Sequence, residues 1–113
     1  MTKVLFLLTS GKEAPEKADL AIISASRQAK AKRYDDVRAL LFGPVEEYVT
    51  SLEGDAKEAF TELLKNGIID SACVAVAKKY SVDQSLLNLG IELSPFGERL
   101  AKYVNDGYVV ISL

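Results

Sequence analysis

The chain has 113 residues, of which 49% are apolar and 27% charged, and its 14 basic and 16 acidic side chains leave a net charge of -2. These values are typical of one ordinary globular domain, so we expect a single domain over residues 1–113. The balanced charge argues against a general nucleic-acid binder, because such binding needs Lys and Arg to neutralise phosphates. No run approaches the roughly 18 continuous apolar residues of a membrane span. We therefore expect neither nucleic acid nor membrane among its partners.

Two residue types that carry much of enzyme chemistry are scarce. The chain has no histidine and one cysteine, Cys73. This excludes Ser-His-Asp and Cys-His catalysis, histidine-based zinc sites, zinc ribbons and an intrachain redox pair. No pattern indicates a metal or a cofactor. Because one cysteine cannot form an internal disulfide, the fold does not depend on an oxidising compartment, and we expect a cytoplasmic protein.

The first half of the chain predicts two strands and two helices. Lys3 to Thr9 is apolar without alternation, as in a strand covered on both faces. Pro15 to Arg33 has a proline suited to a first turn and apolar residues at helical spacing. Val37 to Phe42 is a second strand, stopped by Gly43-Pro44, after which a short helix is predicted. Asp55 and Glu58 resemble a capping box at the start of a further helix that ends at Asn66-Gly67.

The second half continues the alternation of strands and helices. Ile68 to Cys73 predicts a third strand, and Val74 to Tyr80 a short helix. After another helical turn at residues 83–89, Ile91 to Leu93 predicts a short fourth strand. Ser94-Pro95 resembles the N-cap and first turn of a last helix, which runs to about Asn105 and precedes a strand over residues 108–113. The order predicts an α/β fold, a three-layer α/β/α sandwich around a mostly parallel five-stranded sheet.

Cys73 is the first candidate functional residue, since it lies where the third strand runs into a helix. Main-chain N–H groups and the dipole at a helix start stabilise a thiolate. Ligands of parallel sheets also bind at the carboxyl ends of the strands. The alternative is a structural role, because a free cysteine is among the most buried residue types.

The segment from Gly67 to Lys78 resembles the DsrE/DsrF-like family, in which a glycine-led apolar strand ends in a cysteine and a short helix with Ala and Lys follows. Lys3 to Gly11 and Pro95 to Leu113 are similar to the family's first strand and loop and to its closing helix and strand. Val74 and Asp70 depart from the pattern, since members often have a small residue at the first place and an apolar one at the second.

The resemblance implies a small α/β/α protein that forms homo- or hetero-oligomers. In sulfur-relay members the cysteine matched here by Cys73 carries sulfur as a persulfide, and the partners are sulfur donor and acceptor proteins. The function that we expect is therefore that of a sulfur carrier or sulfurtransferase. The alternative is a non-catalytic oligomeric module that binds a small ligand or a partner protein, with Cys73 in the core.

The loop of Thr9, Ser10, Gly11 and Lys12 is a second candidate, since main-chain N–H groups at a helix start bind anions. It is not a P-loop, because Phe6 and Glu13 replace required residues, and an ordinary connecting loop is the alternative. We expect Thr9, Ser10 and Gly11 to form a wall of the Cys73 site together with Val74 and Ala75.

The remaining polar candidates have weaker claims. The adjacent pairs Asp35-Asp36 and Glu46-Glu47 point to different faces of any element, so we expect surface and helix-dipole roles. Asp70 in an apolar strand is costly unless it is paired or near an exposed end, which predicts an oligomer contact or a strand start. For Tyr103 and Tyr108 we expect packing, or contact surface in an oligomer.

Overall fold

The computed structural model describes residues 2–113, in which strands and helices alternate along the chain. The five strands are β1 (Lys3–Leu8), β2 (Asp36–Leu41), β3 (Ile69–Cys73), β4 (Leu93–Ser94) and β5 (Val109–Ser112). The helices are α1 (Pro15–Ala31), α2 (Val45–Tyr48), α3 (Gly54–Lys65), α4 (Val74–Lys79), α5 (Asp83–Asn88) and α6 (Phe96–Asn105), with a 3-10 turn over Val49–Ser51. No helix in residues 2–113 is both long enough and apolar enough to cross a bilayer.

The strands form one sheet in the order β4-β3-β2-β1-β5, and every neighbouring pair is parallel. The chain moves outward one strand at a time from β1 to β4 and then crosses back to place β5 beside β1. Because parallel crossovers are right-handed, the connections before β4 lie on one face and α6 lies on the other. The predicted α/β fold with a parallel five-stranded sheet is confirmed.

The core consists of two layers of unequal size. On one side of the sheet, Val4, Phe6 and Leu8 of β1 pack against buried residues of α1 to α5. On the other side, Leu5 and Leu40 pack with Tyr103 of α6. Both layers use alternate residues of the same strands, which is why residues 4–8 of β1 are all apolar.

Helix α6 is attached to the sheet by Asp70, the second residue of β3. Its carboxylate accepts hydrogen bonds from Arg99 Nη2 at 2.6 Å and Nε at 2.9 Å, from the Tyr103 hydroxyl at 2.6 Å, and from the Ser71 hydroxyl at 2.9 Å. The Tyr108 hydroxyl likewise donates to Asp36 at the start of β2. The strand-start position predicted for Asp70 is therefore observed, and its charge is compensated within the chain.

Both predicted helix caps are wrong. Helix α3 begins at Gly54, and Glu53 is the residue before it, with no side-chain cap hydrogen bond, so Asp55 lies inside the helix. Gly54, with φ of +61°, makes the turn that starts the helix two residues earlier than a cap at Asp55 would. Ser94 belongs to β4, where pairing with Cys73 holds it outside the cap position, and α6 begins only at Phe96.

Candidate functional site

Cys73 is both the last residue of β3 and the N-cap residue of α4, with extended dihedrals of φ -67° and ψ 121°. It lies at the carboxyl edge of the sheet, in register with Ser94 of β4. The thiol-bearing residue is buried, with 6% of its surface exposed. This is the edge at which parallel sheets bind ligands, in a position covered from bulk solvent.

Glu46 in α2, for which the sequence indicated no role in the site, is fully buried at 0% exposure. The prediction of a surface role is therefore wrong for Glu46. Its neighbour Glu47 points outward and pairs with Lys12, with 3.0 Å between Nζ and Oε1. The two side chains point apart as adjacent residues must, but Gly43, with φ of +115°, turns the chain so that Glu46 lies across the ends of the strands.

The carboxylate of Glu46 is only partly satisfied. Oε2 accepts a long hydrogen bond of 3.4 Å from the main-chain N–H of Gly43. Oε1 is buried and has no hydrogen-bond partner among residues 2–113. Burial raises the pKa of Glu46 to about 7, against the opposing effect of the main-chain N–H groups of Gly43 and Cys73. The edge thus holds a carboxyl group that titrates near neutrality beside the main chain of Cys73.

The other predicted wall of the site approaches Cys73 only indirectly. Val45 donates its N–H to the carbonyl of Thr9 at 3.0 Å, and a Cβ placed on Gly11 would lie 2.3 Å from the carbonyl oxygen of Pro44. The loop of Thr9, Ser10 and Gly11 therefore packs on the connection between β2 and α2. Because β2 separates β1 from β3, this loop reaches Cys73 through residues 43–46.

The remaining two predicted wall residues directly follow Cys73. Val74 is partly buried and Ala75 is exposed, both in the first turn of α4. The roles of Cys73 and of all five wall residues stay predictions.

The first loop is already occupied where an anion would bind. The Gly11 N–H donates to Oε1 of Glu13 at 2.6 Å, so a carboxylate of the chain itself lies at the start of α1. A second anion at this place would meet that negative charge. The structure thus favours the connecting-loop interpretation of the segment over anion binding.

An aromatic pair lies at the same edge as Cys73. Phe42 follows β2 directly, Phe96 opens α6, and their rings stack with centroids 4.0 Å apart at 19°. Since Leu41 is paired with Ala72, Phe42 and Cys73 come next on the two neighbouring strands. The sequence indicated an apolar strand end and a helix start, but nothing in it joined the two phenylalanines. They form an apolar border on the α6 side of the edge.

The chain is thus a small α/β protein with five parallel strands, and its cysteine lies at a strand-to-helix junction. The chain is similar to the conserved protein of unknown function BT1422 from Bacteroides thetaiotaomicron, with a TM-score of 0.78 and 21% identity over 98% of this chain and 94% of that one. It is also similar to the ychN protein from E. coli, with a TM-score of 0.74 and 14% identity over 100% of both chains. No family model and no curated protein matches the sequence. The likeness to the two structures establishes the fold.

Proposed function

We propose that this protein is a sulfur carrier of the DsrE/DsrF-like kind, which accepts sulfane sulfur as a persulfide on Cys73 and passes it to another protein. The observation that supports the proposal best is the position of Cys73. It lies at the N-cap of α4 and at the carboxyl edge of the sheet, beside a buried carboxyl group with an unpaired oxygen. The resemblance of residues 67–78 to the family's cysteine segment is the reason for proposing sulfane sulfur as the group that Cys73 carries. The proposed setting is cytoplasmic, in a homo-oligomer that meets donor and acceptor proteins.

The proposed reaction is two successive thiol exchanges. The Cys73 thiolate attacks the outer sulfur of a donor persulfide, so that a new S–S bond forms on Cys73 while the donor's S–S bond breaks. The donor leaves as a thiol, and the sulfane sulfur moves without net oxidation or reduction. An acceptor thiolate then attacks the outer sulfur on Cys73 and restores the free thiol. As the chain has no second cysteine, the acceptor lies on another molecule.

The burial of Cys73 fits a carrier that protects its cargo. A persulfide in this position would be screened from small thiols in solution by the covered edge and the Phe42–Phe96 border. Transfer would then depend on a docked protein partner. Reaction with free low-molecular-weight thiols is expected to be slow compared with reaction with the cognate partner.

The test is to expose the purified protein to a sulfane-sulfur donor and to measure its intact mass. The wild type is expected to gain one sulfur atom, which a reductant removes, while Cys73→Ser gains none. A thiol that takes no sulfur from any donor and is inert to alkylation until the protein unfolds would contradict the proposal.

The rival function is ligand binding with Cys73 as a core residue, and a specific cavity favours it. An open, largely apolar groove of about 920 Å³ lies between α1 and the end of β5, lined in part by Leu20, Ala21 and Leu113. It is separate from Cys73, so a ligand there would leave the thiol untouched. A chemical-shift survey with small apolar ligands distinguishes the two, because shifts would be confined to α1 and β5.

A further inference from the structure

We infer that Glu46 is the proton acceptor for Cys73: it takes the thiol proton as Cys73 attacks and returns it to the departing donor thiolate. The inference rests on the proposed function for the identity of the donor. The acceptance of the thiol proton itself applies to any electrophile that Cys73 attacks, so it can be tested separately.

The first step is the unsatisfied oxygen. Oε1 of Glu46 is buried without a hydrogen-bond partner, and a buried polar group left unpaired costs on the order of 1–3 kcal/mol. Such a defect is expected where a group awaits a proton or a ligand rather than where it serves packing alone. An apolar side chain would fill the space without that cost.

The second step is the place of the thiol relative to this oxygen. The main-chain N–H of Cys73 acts to lower the pKa of the Glu46 carboxyl group. Sγ of Cys73 is separated from that nitrogen by only two intervening carbon atoms. The residue that carries the thiol is therefore the one whose main chain acts on the Glu46 carboxyl group. Among residues 2–113 no other cysteine or histidine is present to exchange a proton here.

The third step is the absence of competing charges around Glu46. On its own helix, Glu47 pairs with Lys12, and the Tyr48 hydroxyl donates to Asp19. On α4, which packs against α2, Lys78 and Lys79 are in the last turn, at the opposite end from Cys73. Within the described chain, only burial and the two main-chain N–H groups shift the Glu46 pKa. Of the two residues whose main-chain N–H groups act on Glu46, Cys73 alone has a titratable side chain.

The transfer conserves charge at every stage. The resting pair holds one proton, on sulfur, and one negative charge, on the carboxylate. As Sγ bonds to the outer sulfur of the donor, its proton moves to Glu46 and the negative charge leaves on the donor sulfur. Glu46 then protonates that sulfur, which regenerates the carboxylate. The buried site never contains two negative charges, which would be costly.

A purely structural role makes a different prediction. Glu46 also accepts a hydrogen bond from the main-chain N–H of Gly43, which follows β2, and a glutamine carbonyl oxygen can accept the same bond. Glutamine cannot accept a thiol proton. Glu46→Gln therefore preserves the structural role and removes the chemical one.

The experiment measures the rate of Cys73 alkylation by iodoacetamide in the folded protein from about pH 5 to about pH 10. The wild-type rate is expected to rise with the ionisation of Glu46, with a midpoint near 7. In Glu46→Gln the rise near pH 7 is lost, and the rate near neutrality falls at least about tenfold. Glu47→Gln, the matched control on the same helix, should behave as the wild type, and Cys73→Ser should not react.

Three results would overturn the inference: equal midpoints in wild type and Glu46→Gln, a faster reaction in the variant, or a wild-type thiol inert at every pH. If the variant does not fold, the wild-type profile decides, because a rate that shows no rise near pH 7 also excludes the role. The outcomes separate the two proposals. Equal sulfur loading of the wild type and Glu46→Gln would contradict the proton-acceptor role of Glu46 and still support the carrier function of Cys73. Glu46-dependent alkylation without any sulfur loading supports the inference and ends the carrier proposal.

Discussion

Glu46 and Asp70 are acidic residues in the interior whose surroundings move their pKa values in opposite directions. At Glu46 burial dominates and raises the pKa to about 7. At Asp70 burial also acts to raise the pKa, but hydrogen bonds from Arg99, Tyr103 and Ser71 outweigh it and lower the value to about 2. At neutral pH the Glu46 carboxyl group is therefore about half ionised, whereas the Asp70 carboxyl group is fully ionised. These states suit Glu46 as a proton acceptor and Asp70 as a structural anchor.

The first prediction concerns the pH dependence of stability at Glu46. Its folded pKa of about 7 exceeds the ordinary value of 4.5, so the folded state holds a proton that the unfolded state releases between these pH values. Stability should therefore fall as the pH rises through this window and stay lower above it, by roughly 3 kcal/mol. Urea unfolding of Glu46→Gln should lack this fall, whereas Glu47→Gln should retain it. If the free energies of unfolding of wild type and Glu46→Gln changed with pH in parallel, the ionisation of Glu46 would not destabilise the folded state.

The second prediction concerns Asp70, for which the sign is reversed. A folded pKa of about 2 against an ordinary 3.8 stabilises the protein fully above about pH 4, and that contribution is lost as the pH falls toward 2. Asp70→Asn should cost about 2 kcal/mol at neutral pH and little at the acid end, as measured by chemical unfolding. Asp55→Asn, at an exposed position in α3, is the control and should have a small effect. A loss that is independent of pH would assign the effect to packing instead.

At the scale of elements, the third prediction compares two glycines. Gly11 is required by close approach, since an added Cβ would lie 2.3 Å from the Pro44 carbonyl oxygen and 3.0 Å from Tyr48 Cβ. Gly11→Ala should therefore separate the first loop from the connection that carries Glu46, and cost about 1–3 kcal/mol. Gly97, inside α6, meets nothing within 4 Å, so Gly97→Ala should stabilise by up to about 1 kcal/mol. Thermal unfolding of the two variants should shift in opposite directions, and a neutral Gly11→Ala would contradict the contact.

The elements themselves could be predicted because their signals are local. Each strand is a run of apolar residues between turn residues, and the interleaved helical spacing indicates parallel crossovers. Caps were less predictable: Ser94 has the right chemistry for an N-cap, but pairing with Cys73 retains it in β4. Competition between a local hydrogen bond and a strand ladder is decided by tertiary structure.

The site was only half predictable for a related reason. Cys73 is marked by its rarity and by the strand that precedes it. Glu46 resembles its neighbour Glu47 in sequence, and only the turn at Gly43 and the positions of β2 and β3 decide which of the two is buried. The signal that points to it is a carboxylate shortly after a Gly-Pro that ends an apolar strand. That pattern becomes informative once the next strand is known to end in a thiol.

At the scale of the whole molecule, the two faces of the sheet are covered unequally. Within residues 2–113, five helices cover one face, whereas the other has α6 alone. Apolar side chains remain open on that side and on the helix itself: Val104 of α6 is 51% exposed, Phe42 37% and Val110 36%. Leu20, Leu87, Leu89 and Val109 are exposed elsewhere, so the α6 side is distinguished by its thin helical cover together with exposed apolar groups, a combination typical of surfaces that associate.

The fourth prediction is therefore that the protein is a homo-oligomer through the α6 side of the sheet. Light scattering coupled to size-exclusion chromatography should give a multiple of the 12.3 kDa chain mass. Val104→Glu, at an exposed helical position, should lower that mass without unfolding the chain, because it removes apolar contact and introduces like charges across a symmetric interface. Leu20→Glu, at an exposed position on α1, is the matched control and should leave the assembly unchanged. A mass of one chain at every concentration would contradict the prediction, and dissociation by Leu20→Glu alone would place the interface on α1 instead of α6. In either case Phe42, beside Cys73, would be accessible to a different partner.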